Sequence, residues 1–121
     1  MENTLYVVIP CYNEQEVLHE TASRLQIKMR ELMEKGKISR NSRILFVNDG
    51  SKDATWDIIC SLHEKDPLFS GANLSRNRGH QNALLAGLMT AKEQASMVVS
   101  MDADLQDDIN AMEQMIDLYL E

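Results

Sequence analysis

Short apolar runs alternate with longer amphipathic ones along this chain. Leu5-Tyr6-Val7-Val8-Ile9-Pro10 is continuously apolar, the pattern of a buried strand, with Pro10 expected to end it. From about Glu14 to Lys35 the period changes: Leu18, Ala22, Leu25, Met29 and Leu32 recur at helical spacing, charges fill the opposite face, and Gly36 suits a C-cap. Arg43 to Asn48 reads as a second strand, and Asp49-Gly50-Ser51 as the turn after it. A second helix is expected from about Asp53 to Glu64, with Ile58, Ile59 and Leu62 inward. Ser70 to Leu74 is a third, weaker strand signal. A third helix from Gly79 to Gln94 places Leu84, Leu85, Leu88 and Ala91 on one face. Ser96 to Met101 reads as a fourth strand, and Asp107 to Leu120 as a fourth helix whose first acids favour its N-terminal dipole.

The predicted order is βαβαβαβα. Strands alternating with helices imply an α/β fold with a mostly parallel sheet and helices on both faces. No internal repeat, low-complexity tract or interdomain linker interrupts the pattern. The pattern stops on a helix, and nothing follows the fourth strand to close a pocket around its end. Residues 1–121 are therefore expected to be one part of a truncated domain.

Composition changes this picture little. The chain has 121 residues, 44% hydrophobic and 26% charged, which suits one soluble globular unit with a real core. Charge is more informative. Residues 1–92 carry all 12 Lys and Arg against 11 Asp and Glu, whereas residues 93–121 carry eight acids and no base. Such a surface repels nucleic acid. The acidic end either binds a cation or is balanced by bases elsewhere. Cys11 and Cys60 have no neighbouring Cys or His at zinc-finger spacing, and both are expected to be small buried residues in a reducing compartment. No run reaches the roughly 18–20 apolar residues of a membrane span, and Met-Glu-Asn-Thr lacks the basic start of a signal peptide. The expected location is the cytoplasm.

The chemistry-bearing residues cluster at the predicted strand ends. Ligands of open parallel sheets bind at the carboxyl ends of the strands. Here those ends read Pro10-Cys11-Tyr12-Asn13-Glu14, Asn48-Asp49-Gly50-Ser51, Ser75-Arg76-Asn77-Arg78-Gly79-His80 and Asp102-Ala103-Asp104-Leu105-Gln106. In an extended backbone Asp102 and Asp104 point the same way, with Cα atoms about 6.5–7 Å apart. Such a pair suits Mg²⁺ or Mn²⁺, which takes one or two carboxylates and completes its shell with phosphate and water. A bare Asp-x-Asp is more often a solvated helix-capping loop; its place after an apolar strand, with no local base, favours the cation. Asp49 can accept hydrogen bonds from a base or ribose, or serve only as a turn residue. Asn13 and Glu14 are equally suited to capping. Arg76 and Arg78 can neutralise phosphate, although surface arginines more often pair with acids. His80, at a helix start, can be a ligand, although a lone His is more often structural; His19 and His63 read as helix-surface residues, Tyr12 and Trp56 as packing residues, and Met101 as buried.

Four stretches together resemble glycosyltransferase family 2: VVIPCYNEQEVL at 7–18, ILFVNDGSKDAT at 44–55, LSRNRGHQNALLAGL at 74–88 and VVSMDADLQDD at 98–108. Each is weak alone; their order and spacing are specific. The third stretch and the form DADLQDD are most similar to the branch that makes polyprenyl-phosphate sugars, including dolichyl-phosphate mannose synthases and undecaprenyl-phosphate glucosyltransferases. The resemblance implies a Rossmann-like GT-A fold and an inverting transfer of a hexose from a UDP- or GDP-linked sugar to polyprenyl phosphate. It implies that Pro10, Tyr12, Asn13, Glu14, Asp49, Gly50 and Ser51 surround the nucleotide, that Asp102 reaches the ribose or the metal, and that Asp104 and Gln106 hold Mg²⁺ or Mn²⁺ on the diphosphate. Asn48 departs from the pattern, where many relatives carry a second Asp; Arg78 also differs. The family's second half, which supplies acceptor contacts, and the C-terminal membrane helices frequent in this branch have no counterpart here. The implied setting of the full-length protein is the cytoplasmic face of a membrane, with these 121 residues inactive alone.

The implied chemistry is physically coherent. Glycosyl transfer passes through an oxocarbenium-like state, and negative charge grows on the departing diphosphate, where a divalent cation stabilises it. A phosphate acceptor is already anionic and needs no general base. A sugar hydroxyl acceptor, the alternative within the family, does need one, and no candidate stands out. A receiver module of a response regulator has similar length and βα order, but it requires a phosphorylatable Asp after strand three and a late Lys, and this chain has neither.

Overall fold

The computed structural model describes residues 3–104 and 108–120. Its elements are β1 (Leu5–Cys11), α1 (Leu18–Glu34), β2 (Arg43–Asp49), α2 (Thr55–Lys65), β3 (Phe69–Leu74), α3 (His80–Lys92), β4 (Met97–Ser100) and α4 (Asp108–Leu120). The expected βαβαβαβα order is observed. The four strands form one parallel sheet in the order β3-β2-β1-β4.

This order makes the sheet doubly wound. The chain moves outward from β1 through β2 to β3, then crosses back to lay β4 on the other side of β1. Helices consequently cover both faces. The larger core joins one sheet face to α1, α2 and α4 through residues such as Leu25, Met29, Phe46, Ile59, Met112 and Ile116. The smaller core joins the opposite face to α3 through Val8, Val47, Ala83 and Ala91. The strand sequences explain this two-sided burial. β1 is buried at all seven positions and β2 at six of seven, as continuous apolar runs require.

Several expectations are corrected. Pro10 does not end β1, which continues to Cys11 against Asn48. The residue is tolerated because its missing N–H would face β4, and the last bond on that side is Met101 N–H to the Val8 carbonyl, at 3.0 Å. α1 begins four residues later than expected, because Val17 and Leu18 N–H both turn back onto the Glu14 carbonyl. α1 buries Leu18, Ala22, Leu25, Met29 and Leu32 as predicted. It ends in a Schellman turn, with Gly36 at φ 73° and Lys37 N–H on the Leu32 carbonyl at 3.0 Å. On α3, Leu85 is exposed, and the buried stripe is Ala83, Gly87 and Ala91. The helix lies too close to the sheet for more: a Cβ on Gly87 would fall 2.4 Å from Val8 Cγ1. Cys11 is buried, but Cys60 is exposed, one residue round the helix from buried Ile59.

Two residues of the acidic end, Glu113 and Asp117, find bases, and these lie on and after α1. Glu113 accepts from Lys28 at 2.6 Å, Lys37 at 2.9 Å and Lys35 at 3.0 Å, and Asp117 pairs with Lys37 at 2.7 Å. These cations hold the Glu113 carboxyl far below the usual carboxylate range. The cluster fastens α4 to α1. No helix among the described residues is long and apolar enough to cross a membrane.

Candidate functional site

Beyond Val8, β1 and β4 part, because their pairing ends at Val8 and Ser100. A gap at a reversal of strand order is where parallel sheets bind ligands. A cleft of about 280 Å³ opens there. Pro10, Tyr12, Glu14, Asp49, Asp102 and Asp104 line it, so residues from the ends of β1, β2 and β4 meet as expected. Tyr12, a packing residue by its type alone and a pocket residue by the resemblance, is 40% exposed on the cleft wall.

Asn13, Gly50 and Ser51 are not on that wall; they hold the loops that form it. Asn13 adopts φ 53°, a left-handed conformation that Asn tolerates. Its N–H donates to Ser51 Oγ at 2.9 Å, and its Oδ1 accepts Lys52 N–H at 2.8 Å. Glu14 N–H then donates to Thr55 Oγ1 at 2.8 Å. These bonds tie the loop after β1 to the loop after β2 and present Tyr12 and Glu14 to the cleft. Gly50, at φ 65°, sits against the loop after β3: a Cβ there would lie 2.3 Å from the Asn77 backbone nitrogen.

Asp49 is buried, and its Oδ1 accepts the Arg78 backbone N–H at 2.6 Å. Asn48, beside it, uses both ends of its amide. Its Nδ2 donates to Asn73 Oδ1 at 2.7 Å, and its Oδ1 accepts Ser51 N–H at 3.3 Å. A carboxylate cannot donate the first of these.

Asp102 and Asp104 are exposed, whereas Met101 and Ala103 between and before them are buried, the alternation expected of extended chain. The Ala103 carbonyl accepts from Thr21 Oγ1 at 2.5 Å. Gln106 lies outside the described residues, as does the expected helix start at Asp107. The site is strongly acidic. Glu14 has its carboxyl raised above the ordinary value by burial first, then by the negative charges of Asp104, Asp53 and Asp102. That mutual repulsion is the condition a cation relieves. Among the described residues no group of three or more His, Cys, Asp or Glu is arranged as a metal cage. The exposed Asp102 and Asp104 carboxylates, with Glu14 on the same cleft, are hard oxygen donors of the kind a divalent cation such as Mg²⁺ accepts, one or two at a time, beside phosphate and water. Cys11, beside it, is buried, and burial first, then the Glu14 charge, push its thiol well above the usual cysteine range.

Asn77, Gly79 and His80, from the third of the expected strand ends, also line the cleft. Their strand-end position was the available signal. Arg76 and Arg78 are exposed on the same loop, and neither side chain forms an ion pair among the described residues.

Known proteins match this chain along most of its length. It is 47% identical over 108 residues to the uncharacterized glycosyltransferase YkoT of Bacillus subtilis, covering 89% of this chain and 32% of that protein. It is 38% identical over 117 residues to a bactoprenol glucosyl transferase of Shigella phage SfV, covering 93% and 34%. Among solved structures, Staphylococcus aureus TarS 1–349 in complex with UDP superposes with a TM-score of 0.67 at 20% identity, over 94% of this chain and 32% of that one. The mannosyltransferase PcManGT of Pyrobaculum calidifontis, in complex with GDP-Man and Mn²⁺, superposes with a TM-score of 0.60 at 22% identity, over 86% and 28%. The chain thus has the expected Rossmann-like GT-A arrangement, and it spans about a third of the length of the curated relatives it matches. The family model for glycosyl transferase family 2 matches residues 6–121, and the chain belongs to that family.

Proposed function

We propose that residues 1–121 form the nucleotide-sugar-binding part of an inverting hexosyltransferase that draws on a UDP- or GDP-linked sugar and delivers the hexose to polyprenyl phosphate. The observation that carries this reading is the convergence of Asp49, Glu14, Asp102 and Asp104 on one cleft where β1 and β4 separate. The bactoprenol glucosyl transferase relative supports the polyprenyl acceptor, and the two nucleotide-bound structures of the same fold support the donor class.

In this reading Asp49 takes the N–H groups of the base with the carboxylate capacity that Arg78 leaves open. Pro10 and Tyr12 flank the base and ribose. Asp102 and Asp104, with Gln106, hold Mg²⁺ or Mn²⁺. When bound, that cation neutralises the charge growing on the departing diphosphate. Arg76 and Arg78, on the loop beside the cleft, add positive charge toward the same phosphates. The phosphate acceptor attacks as an anion, so the chain supplies no general base. The remaining two thirds of a typical relative provides the acceptor side and any membrane attachment, and the 121-residue chain turns over little by itself.

Calorimetry with UDP and GDP, with and without Mn²⁺, tests this. One nucleotide should bind, more tightly with Mn²⁺, and Asp104→Ala should abolish the metal effect. Binding indifferent both to Mn²⁺ and to that substitution would sink the assignment. An assay of polyprenyl phosphate against oligosaccharide acceptors decides the acceptor class.

A further inference from the structure

Thr21 lies in the first turn of α1, on its buried stripe beside Leu18, Ala22 and Leu25. Threonine is an indifferent helix former, and a buried hydroxyl needs a partner. A helical Thr usually finds one on the carbonyl four residues back. For Thr21 that is Val17, whose carbonyl accepts Thr21's own N–H at 3.0 Å. The hydroxyl turns instead to the Ala103 carbonyl, 82 residues away, at 2.5 Å.

That carbonyl belongs to the peptide plane joining Ala103 to Asp104. A peptide unit is rigid, so fixing its oxygen fixes the direction in which the next residue leaves. One residue before Asp102, Met101 N–H is held on the Val8 carbonyl at 3.0 Å, and the Ala103 methyl is packed into the larger core. The acidic segment is thereby anchored from two elements, β1 and α1, with Asp102 between the anchors and Asp104 directly after the second. We infer that Thr21 is a positioning residue for the Asp102 and Asp104 carboxylates, holding them in the arrangement that receives a divalent cation with a nucleoside diphosphate. The inference rests on the function proposed above and adds to it a residue that touches neither ligand.

The experiment compares the native protein with Thr21→Val, Thr21→Ser and Asp104→Ala. Valine has nearly the same shape without the hydroxyl; serine restores the hydroxyl. Calorimetry measures the affinity for UDP and for GDP with and without Mn²⁺, and thermal denaturation checks that each variant folds. The expected result is that Thr21→Val weakens Mn²⁺-dependent nucleotide binding by about tenfold, the size of one lost hydrogen bond, and leaves metal-free binding unchanged. Thr21→Ser should restore native behaviour. Equal loss with and without Mn²⁺, or no loss, overturns the positioning role while Asp104→Ala still abolishes the metal effect. Failure of serine to rescue, whether or not the valine variant folds, also overturns it. If Asp104→Ala leaves the metal effect intact, the proposed function fails first and this inference falls with it.

Discussion

The Arg78 backbone N–H donates to the buried Asp49 carboxylate at 2.6 Å, which locks the loop after β3 to the end of β2. The bond gives Asp49 the task of holding that loop, the proposed function gives it a second, meeting a nucleotide, and substitutions can separate the two. Asp49→Asn keeps an acceptor for Arg78 but loses the charge. It should retain native stability while nucleotide affinity falls roughly tenfold or more. Asp49→Ala leaves the Arg78 N–H without its partner and should cost a further 1–3 kcal/mol or so of stability. Calorimetry and urea denaturation of both variants measure the two effects; equal stability of the two would contradict the loop-holding task.

Gly50 lies against the same loop. Its φ of 65° disfavours any side chain, and a Cβ would lie 2.4 Å from the Arg76 carbonyl carbon as well as against Asn77. Backbone atoms cannot swing aside as a side chain can. Gly50→Ala should therefore destabilise the protein by about 2–4 kcal/mol, among the larger effects of a single methyl. A loss of unfolding free energy, read from urea denaturation, of under a tenth of that would refute the close approach.

The raised Glu14 carboxyl makes a pH prediction. A group whose folded pKa lies above its unfolded value contributes stability below the unfolded pKa and loses it as pH rises through the folded pKa. Removing the charge should then help where Glu14 is ionised. Glu14→Gln should be more stable than the native protein at pH 7 without metal, and the margin should shrink as pH falls toward the ordinary glutamate range. Mn²⁺ should narrow the margin by offsetting the repulsion from Asp104, Asp53 and Asp102. Denaturation curves between pH 4 and 8 read each of these changes.

Glu113 behaves in the opposite sense. Its depressed carboxyl contributes stability above the unfolded pKa and loses it as pH falls through the folded value. Glu113→Gln should be less stable than native at pH 7, and the difference should close in strong acid. High salt should also reduce it, because the surrounding lysines are partly open to solvent. A difference independent of both pH and salt would argue against the three-lysine cluster.

The residues that were hard to read from sequence share one property: their partners are remote in the chain. Leu85 fits the helical apolar stripe of α3, yet the stripe that faces the sheet is Ala83, Gly87 and Ala91, because Val8 and Val47 approach too closely for anything larger. Thr21 interrupts an apolar stripe, a visible irregularity, but only its bond to Ala103 gives that irregularity a reason. The acidic run after residue 92 left two explanations open. Lys28, Lys35 and Lys37 answer for Glu113 and Asp117, while Glu14, Asp102 and Asp104 gather elsewhere, at the cleft.

By itself the sequence determined the eight elements, their order and the family, because hydrophobic period is local and motif spacing is linear. Only the tertiary structure decided the strand order β3-β2-β1-β4, and with it the gap between β1 and β4 that brings Asp49 to Asp102 and Asp104. The physical reason is that strand order depends on which face each crossover helix covers, a choice made by packing between segments far apart in sequence. The same packing assigned Asn13, Gly50 and Ser51 to holding the loops and Tyr12 to the cleft wall.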